Sequence, residues 1–232
     1  MAGLAIAEAK GGSVSLDDIN WEKEVNTVRD ILARLRLNRP DLLAQAIPYD
    51  TQTGLVAKTY FEQHVMPNRL VAAGETNTPV SLIYVDIDHF KQFNDKDKSH
   101  AVGDKVLDGV VKTLQQYARV AQGQDVVSRG KKEVLARMGS GDEIAILLSG
   151  ASLEQAMQIG ERLRHAVATT SYDTSAGPKN VTISLGIAQY ETGMEPVELM
   201  RRADTALYQS KAAGRNTVRL YLHSPEPAGK AA

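Results

Sequence analysis

The 232-residue chain contains no cysteine, which removes disulfides, thiolate nucleophiles and cysteine-ligated metals from consideration. It has almost no net charge, since 27 Lys+Arg against 28 Asp+Glu leave −1 at pH 7. Bulk attraction to a nucleic-acid polymer therefore has no source, and a phosphate-bearing ligand must be held by a local set of groups. No stretch approaches the roughly 18 apolar residues of a membrane span, and no basic segment followed by an apolar run stands at the N-terminus. These absences predict a soluble, cytoplasmic protein without membrane insertion. Its length suits one full core and a small appendage.

The ends read differently from the middle. "MAGLAIAEAKGG" and "HSPEPAGKAA" are small, polar or proline-rich, as frayed termini are. "SLDD" at 15–18 has capping-box form, and the helix it opens, about 16–38, carries Trp21, Val25, Val28, Leu32 and Leu35 in one 4-3-4-3 seam before Pro40. Two heptads are too few to dimerise alone, so packing on the same chain and service as a dimerising stalk stay open. The organisation expected is an N-terminal helical extension over 1–48, one domain over 49–222 and a disordered tail over 223–232.

From Tyr49 helices and strands alternate. "DTQTGL" at 50–55 is a turn leading into a helix through about Ala73, and "VSLIYVDID" from Val80 is a strand apolar on both faces, as when a sheet is covered on both sides. Helices follow around 89–95 and 102–121, then the hairpin "ARMGSGDEIAILLSG" at 136–150 and a helix opened by the capping box "SLEQ" at 152–155. A strand over 181–190, a helix over about 195–213 and the strand "NTVRLYL" close the domain. The class is α/β, an α+β sandwich with a central mixed sheet flanked by helices.

The polar residues with chemistry to offer sit where strands end. Asp86 ends the Val80 strand and Asp88 follows it; helix capping or a surface turn explains such carboxylates when they stand alone. The hairpin changes that balance. If it pairs beside the strand, Asp142 and Glu143 join Asp86, and crowded carboxylates repel unless a cation lies between them. Oxygen donors without His or Cys indicate Mg²⁺ or Mn²⁺, with substrate phosphates as further ligands. Near the end, "YQSKAAGRN" places Lys211 and Arg215 one helical turn apart, which a helix C-terminus capped by Gly214 would explain by itself.

Taken in order, "DTQTGL", "DIDHFKQFND", "HAVGDKVL", "VTISLGIA" and "ADTALYQSKAAGRNTV" resemble the motifs of the GGDEF family of diguanylate cyclases over about Tyr49 to Leu222. The resemblance implies a fold like a polymerase palm or nucleotidyl cyclase. It also implies the reaction: two GTP molecules, one per subunit of a homodimer, condense to cyclic di-GMP and two pyrophosphates. Carried over by position, Asp86, Asp142 and the Ile87 carbonyl would hold the metal, and Glu143 would stand at the 3′-hydroxyl as base or electrostatic support. Asn94 and Asp104 would read guanine. Backbone amides from Asp88 through Phe90 to Lys91, with the Lys91, Lys211 and Arg215 side chains, would cradle the phosphates.

The chain departs from the family at several places. The signature reads "SGDEI" instead of GGDEF, and the turn after Arg137 is one residue longer, which can re-aim a side chain. One extra residue lies between Asn94 and Asp104, and Gln52 replaces a leucine. "GKKE" at 130–133 stands where the RxxD product-inhibition motif would be, so no inhibitory site is expected. Two alternatives follow: a degenerate domain that binds GTP or a protein without turnover, and a cyclic GMP-AMP synthase, against which Asp104 argues.

Overall fold

A computed structural model describes residues 48–96, 100–119, 133–139 and 141–222, without the side chains of 94–96 and 100. The expected N-terminal helix, its capping box and the C-terminal tail lie outside the described residues. The order is β1 (Val56–Ala57), a helix entered at Lys58–Tyr60 that passes through a π-helical turn, Phe61–Val65, into α1 (Met66–Thr76), then β2 (Val80–Ile87), α2 (Lys91–Lys96), α3 (His100–Tyr117), β3 (Glu133–Arg137), β4 (Glu143–Ser149), α4 (Leu153–Thr169), β5 (Ser171–Tyr172), β6 (Lys179–Asn180), β7 (Ile183–Gln189), α5 (Pro196–Ala212) and β8 (Val218–Leu220). Six strands form one mixed sheet in the order β1-β3-β4-β2-β7-β8, with parallel pairs at both edges and antiparallel pairs between.

The continuous apolar run of β2 has the reason expected of it. Successive side chains point to opposite faces, and both faces are covered. Ile83, Val85 and Ile87 pack with Ile144, Ile146 and Leu148 under α3 and α4, through Val106, Val110 and Leu163. Leu82 joins Leu147 under the π-helical turn, α1 and α5, through Phe61, Met66 and Leu199. The mixed α/β sandwich read from the sequence is therefore the observed class. Capping of α4 also follows the expected pattern: the Ser152 hydroxyl accepts from the Gln155 amide, and the Ser152 amide donates to the Gln155 side chain.

Three features escape the sequence pattern. Val56–Ala57 pairs in parallel with Ala136–Arg137 within a segment read as turn and helix. The ribbon β5–β6 and the π-helical turn are likewise too short to leave a period. Packing of α5 on β7 depends on Gly186, where an added Cβ would lie 2.0 Å from the Leu207 nitrogen and 2.3 Å from the Ala203 carbonyl oxygen. Only glycine admits that approach, and it sets the height of α5 over the end of β2.

Candidate active site

Pairing of β2 with β4 brings the carboxylates together. The register runs from Val80↔Ser149 to Asp86↔Glu143, so the last acidic residue of one strand faces the first residue of the other. Asp142 lies in the turn just before. The extra residue after Arg137 is absorbed in that turn: Arg137 still pairs with Ile144, the Met138 amide donates to the Glu143 carbonyl, and Gly139 takes φ +108°. The β3–β4 ladder runs without a bulge as far as Arg137, and Asp142 stays within reach of Asp86's field.

The electrostatics follow from this crowding. Burial, then the charge of Asp86 and, more weakly, that of Glu143, push the Asp142 carboxyl up to about 6 against the opposing Lys211 ammonium. Asp86 is also raised, chiefly by burial, although the Lys211 ammonium nitrogen lies 2.7 Å from its Oδ2 and Arg215 adds a favourable charge. Two carboxylates short of positive charge, and an all-oxygen donor set with the Ile87 carbonyl at the strand end, suit a hard divalent cation. Among the described residues, no three His, Cys, Asp or Glu side chains converge as a closed ligand cluster. Lys211 instead partners Asp86.

Asp88 is neither a helix cap nor a surface carboxylate. It is 5% exposed and accepts from the Thr182 hydroxyl at 2.6 Å, the Ser184 hydroxyl at 2.6 Å and the Asn216 amide at 2.9 Å. This bolts the end of β2 to β7 and to the loop after α5. In that loop Gly214, Arg215 and Asn216 all have positive φ, a conformation costly for the two non-glycine residues. The Asn216 bond to Asp88 holds it, with the Ser210 hydroxyl donating to the Thr217 carbonyl behind it. The Asp88 amide donates to the Thr182 carbonyl, which corrects its expected place in a phosphate cradle. Phe90 closes the next turn on the Ile87 carbonyl at 3.3 Å, with His89 at φ +59°.

The remaining predicted residues divide. Lys91 is exposed and begins α2, Asn94 lies in α2 with its side chain outside the description, and Arg215 is exposed beyond α5. Asp104 is exposed on α3 and tied to the hairpin by a chain the sequence did not show. The Gln52 amide nitrogen donates to Asp104 Oδ1 at 2.6 Å, and the Gln52 carbonyl accepts from Arg137 at 2.7 Å. Arg137, 5% exposed, also donates to Asp50 at 3.0 Å and to the Gly141 carbonyl at 3.1 Å. Burial alone would raise the Asp50 carboxyl, but bonds from Thr53 and Arg137 hold it below the usual range. No local signal marks an ion pair between residues 50 and 137, because only the β1–β3 pairing brings them together.

A profile described as "Diguanylate cyclase, GGDEF domain" matches residues 47–217. The chain belongs to the GGDEF family. Diguanylate cyclase A of Treponema denticola is 35% identical to this GGDEF chain over 202 residues, 85% of the chain and 51% of that protein. Diguanylate cyclase DgcM of Escherichia coli is 32% identical over 191 residues, 82% of the chain and 42% of that protein. The chain thus spans about half or less of the length of these relatives. Among solved structures, the GGDEF domain of DgcB from Caulobacter crescentus, in complex with c-di-GMP, is similar at TM-score 0.66 and 27% identity over 76% of this chain and 94% of that one. The coiled coil and GGDEF domain of the same protein is similar at TM-score 0.65 and 26% identity, over 87% of this chain and all of that one. No helix among the described residues is long and apolar enough to cross a membrane.

Proposed function

We propose that this chain is an active diguanylate cyclase that condenses two GTP into cyclic di-GMP and two pyrophosphates as a homodimer. The observation that supports turnover most directly is the pairing of Asp86 with Glu143, with Asp142 still feeling the Asp86 charge despite the longer turn. Asp86, Asp142 and the Ile87 carbonyl are the groups that would hold Mg²⁺ or Mn²⁺. The ion, when bound, neutralises charge building on the α-phosphate and leaving pyrophosphate.

The chain's own residues do the rest. Lys211 and Arg215 oppose the negative charge of the phosphates, with the Lys91 side chain and the amides of His89 and Lys91 completing the cradle. Lys211 must leave Asp86 for this, and the incoming phosphate is the anion that draws it. Glu143 stands at the 3′-hydroxyl, whose oxygen forms the new bond to the other nucleotide's α-phosphorus as the bond to pyrophosphate breaks; the proton passes to Glu143 where it acts as base, or to water where it acts as electrostatic support. Asp104, with Asn94, accepts from the guanine N1–H and amine. Alignment of the two reactants is the largest service the protein offers, and each subunit presents only one of them.

Incubation of purified protein with Mg²⁺ and GTP, then with GTP plus ATP, tests this by product mass. Cyclic di-GMP from both mixtures is expected, and a mixed cyclic dinucleotide would reassign the substrate. The Lys211–Asp86 bond favours a second reading, a GTP-holding domain without turnover. Nucleotide binding without product would select it.

A further inference from the structure

We infer that Gln52 is a positioning residue for nucleotide specificity, holding the Asp104 carboxylate in the orientation that accepts a guanine edge. The inference rests on the reading of Asp104 as a base contact and adds a residue to it. Gln52 stands where the family motif has leucine, which could make neither of its two bonds.

The orientation of the Gln52 amide is fixed by chemistry. Arg137 can only donate and an ionised Asp104 can only accept, so the carbonyl of Gln52 must face Arg137 and its NH₂ must face Asp104. The Arg137 end does not move freely. Its side chain is 6% exposed, and the guanidinium is also bonded to Asp50 and to the Gly141 carbonyl. Gln52 therefore transmits a buried reference point to an exposed carboxylate on α3. Without it Asp104 would sample several rotamers on an open helix face.

The consequence is selective. With Oδ1 receiving the Gln52 N–H at 2.6 Å, one oxygen of the carboxylate is anchored to the buried guanidinium, and Oδ2 is the oxygen this bond leaves to accept from a base. Oδ1 retains a second lone pair, so both oxygens can accept from guanine N1–H and its amine together. Adenine places an acceptor where guanine has N1–H, and a carboxylate anchored in this way cannot turn away from it. Sites built to pair specific polar groups discriminate most strongly against ligands that leave them unpaired. The same amide joins the base contact to the Gly141–Asp142 turn through Arg137, so base and metal sites share one anchor.

The test is equilibrium binding of GTP, inosine triphosphate and ATP to the full chain and to Gln52→Leu, Gln52→Glu and Asp104→Ala, with thermal unfolding of each. Inosine triphosphate lacks only the exocyclic amine. Gln52→Leu is expected to weaken GTP by about fivefold, the worth of one ordinary net hydrogen bond, and to move the GTP-to-inosine ratio toward that of Asp104→Ala. Under turnover the loss should fall on KM more than on kcat. Gln52→Glu keeps an acceptor for Arg137 but sets a charge against Asp104, so it should weaken GTP more than leucine does. Equal weakening of all three nucleotides, or a lowered Tm with unchanged nucleotide ratios, would reduce Gln52 to a structural bond and overturn the inference. If Asp104→Ala binds GTP as the parent does, the base reading falls and the inference with it. If Asp104→Ala loses GTP while both Gln52 variants keep it, only the inference falls.

Discussion

Replacing Asp142 by asparagine should raise thermal stability without metal while abolishing synthesis. The Asp142 carboxyl stands at about 6 against an ordinary 3.8 because burial and the Asp86 charge penalise its ionised form. A raised acid binds its proton more tightly in the folded chain, so stability falls as pH rises from about 4 to about 6, and the full cost is present above that. The difference amounts to about 3 kcal/mol at most. The carboxyl is partly exposed and its repulsion is screened, which leaves about 1 kcal/mol. For a chain of this size that is a Tm rise of about 2–4 °C in Asp142→Asn at pH 8 in EDTA. The gain should vanish near pH 4, where the parent carboxyl is protonated. Added Mg²⁺ should stabilise the parent and not the variant. Differential scanning calorimetry at both pH values decides the matter. A drop in Tm of the same size at pH 8 and pH 4 would mean that the carboxylate makes a structural bond and that the repulsion argument is wrong. Turnover equal to the parent's would remove Asp142 from the ion site.

Asp88→Ala should cost about 3 kcal/mol or more by urea unfolding, because the Thr182, Ser184 and Asn216 donors lose a charged acceptor in a buried place; a change within about 1 kcal/mol would contradict the bolt assigned to it. Gly186→Ala should cost more than the usual 1–3 kcal/mol of overpacking, since the clash is with helix backbone that cannot rotate aside; parent-like unfolding would show that α5 can lift. Cyclic di-GMP should inhibit only weakly outside the active site, because "GKKE" offers lysine point charges in place of an arginine fork; potent non-competitive inhibition lost in Lys131→Ala would refute this. Specific activity should rise with protein concentration, since in the proposed reaction the bond-forming pair would exist only in a dimer. A flat dependence down to high dilution would show an obligate dimer.

Local pattern determined much of this protein. The apolar run from Val80, the "SLEQ" box and the Pro196 helix are short-range facts of propensity and period, and each stands where the pattern placed it. The ordered motifs identified the family and nominated Asp86, Asp142, Glu143 and Lys211, but as candidates that a cap or a helix end could also explain. Whether a longer turn would carry Asp142 away was a question of ladder register. That is fixed by cross-strand pairing, and no turn sequence displays it. Asp88 read as a helix cap or a surface turn and is instead a buried tie, because its partners come from β7 and the loop after α5. Arg137 and Gln52 looked like a landmark and a substitution. They link the hairpin to α3 because β1, only two residues long and without a period to detect, pairs beside β3 and brings Asp50 and Gln52 against the guanidinium.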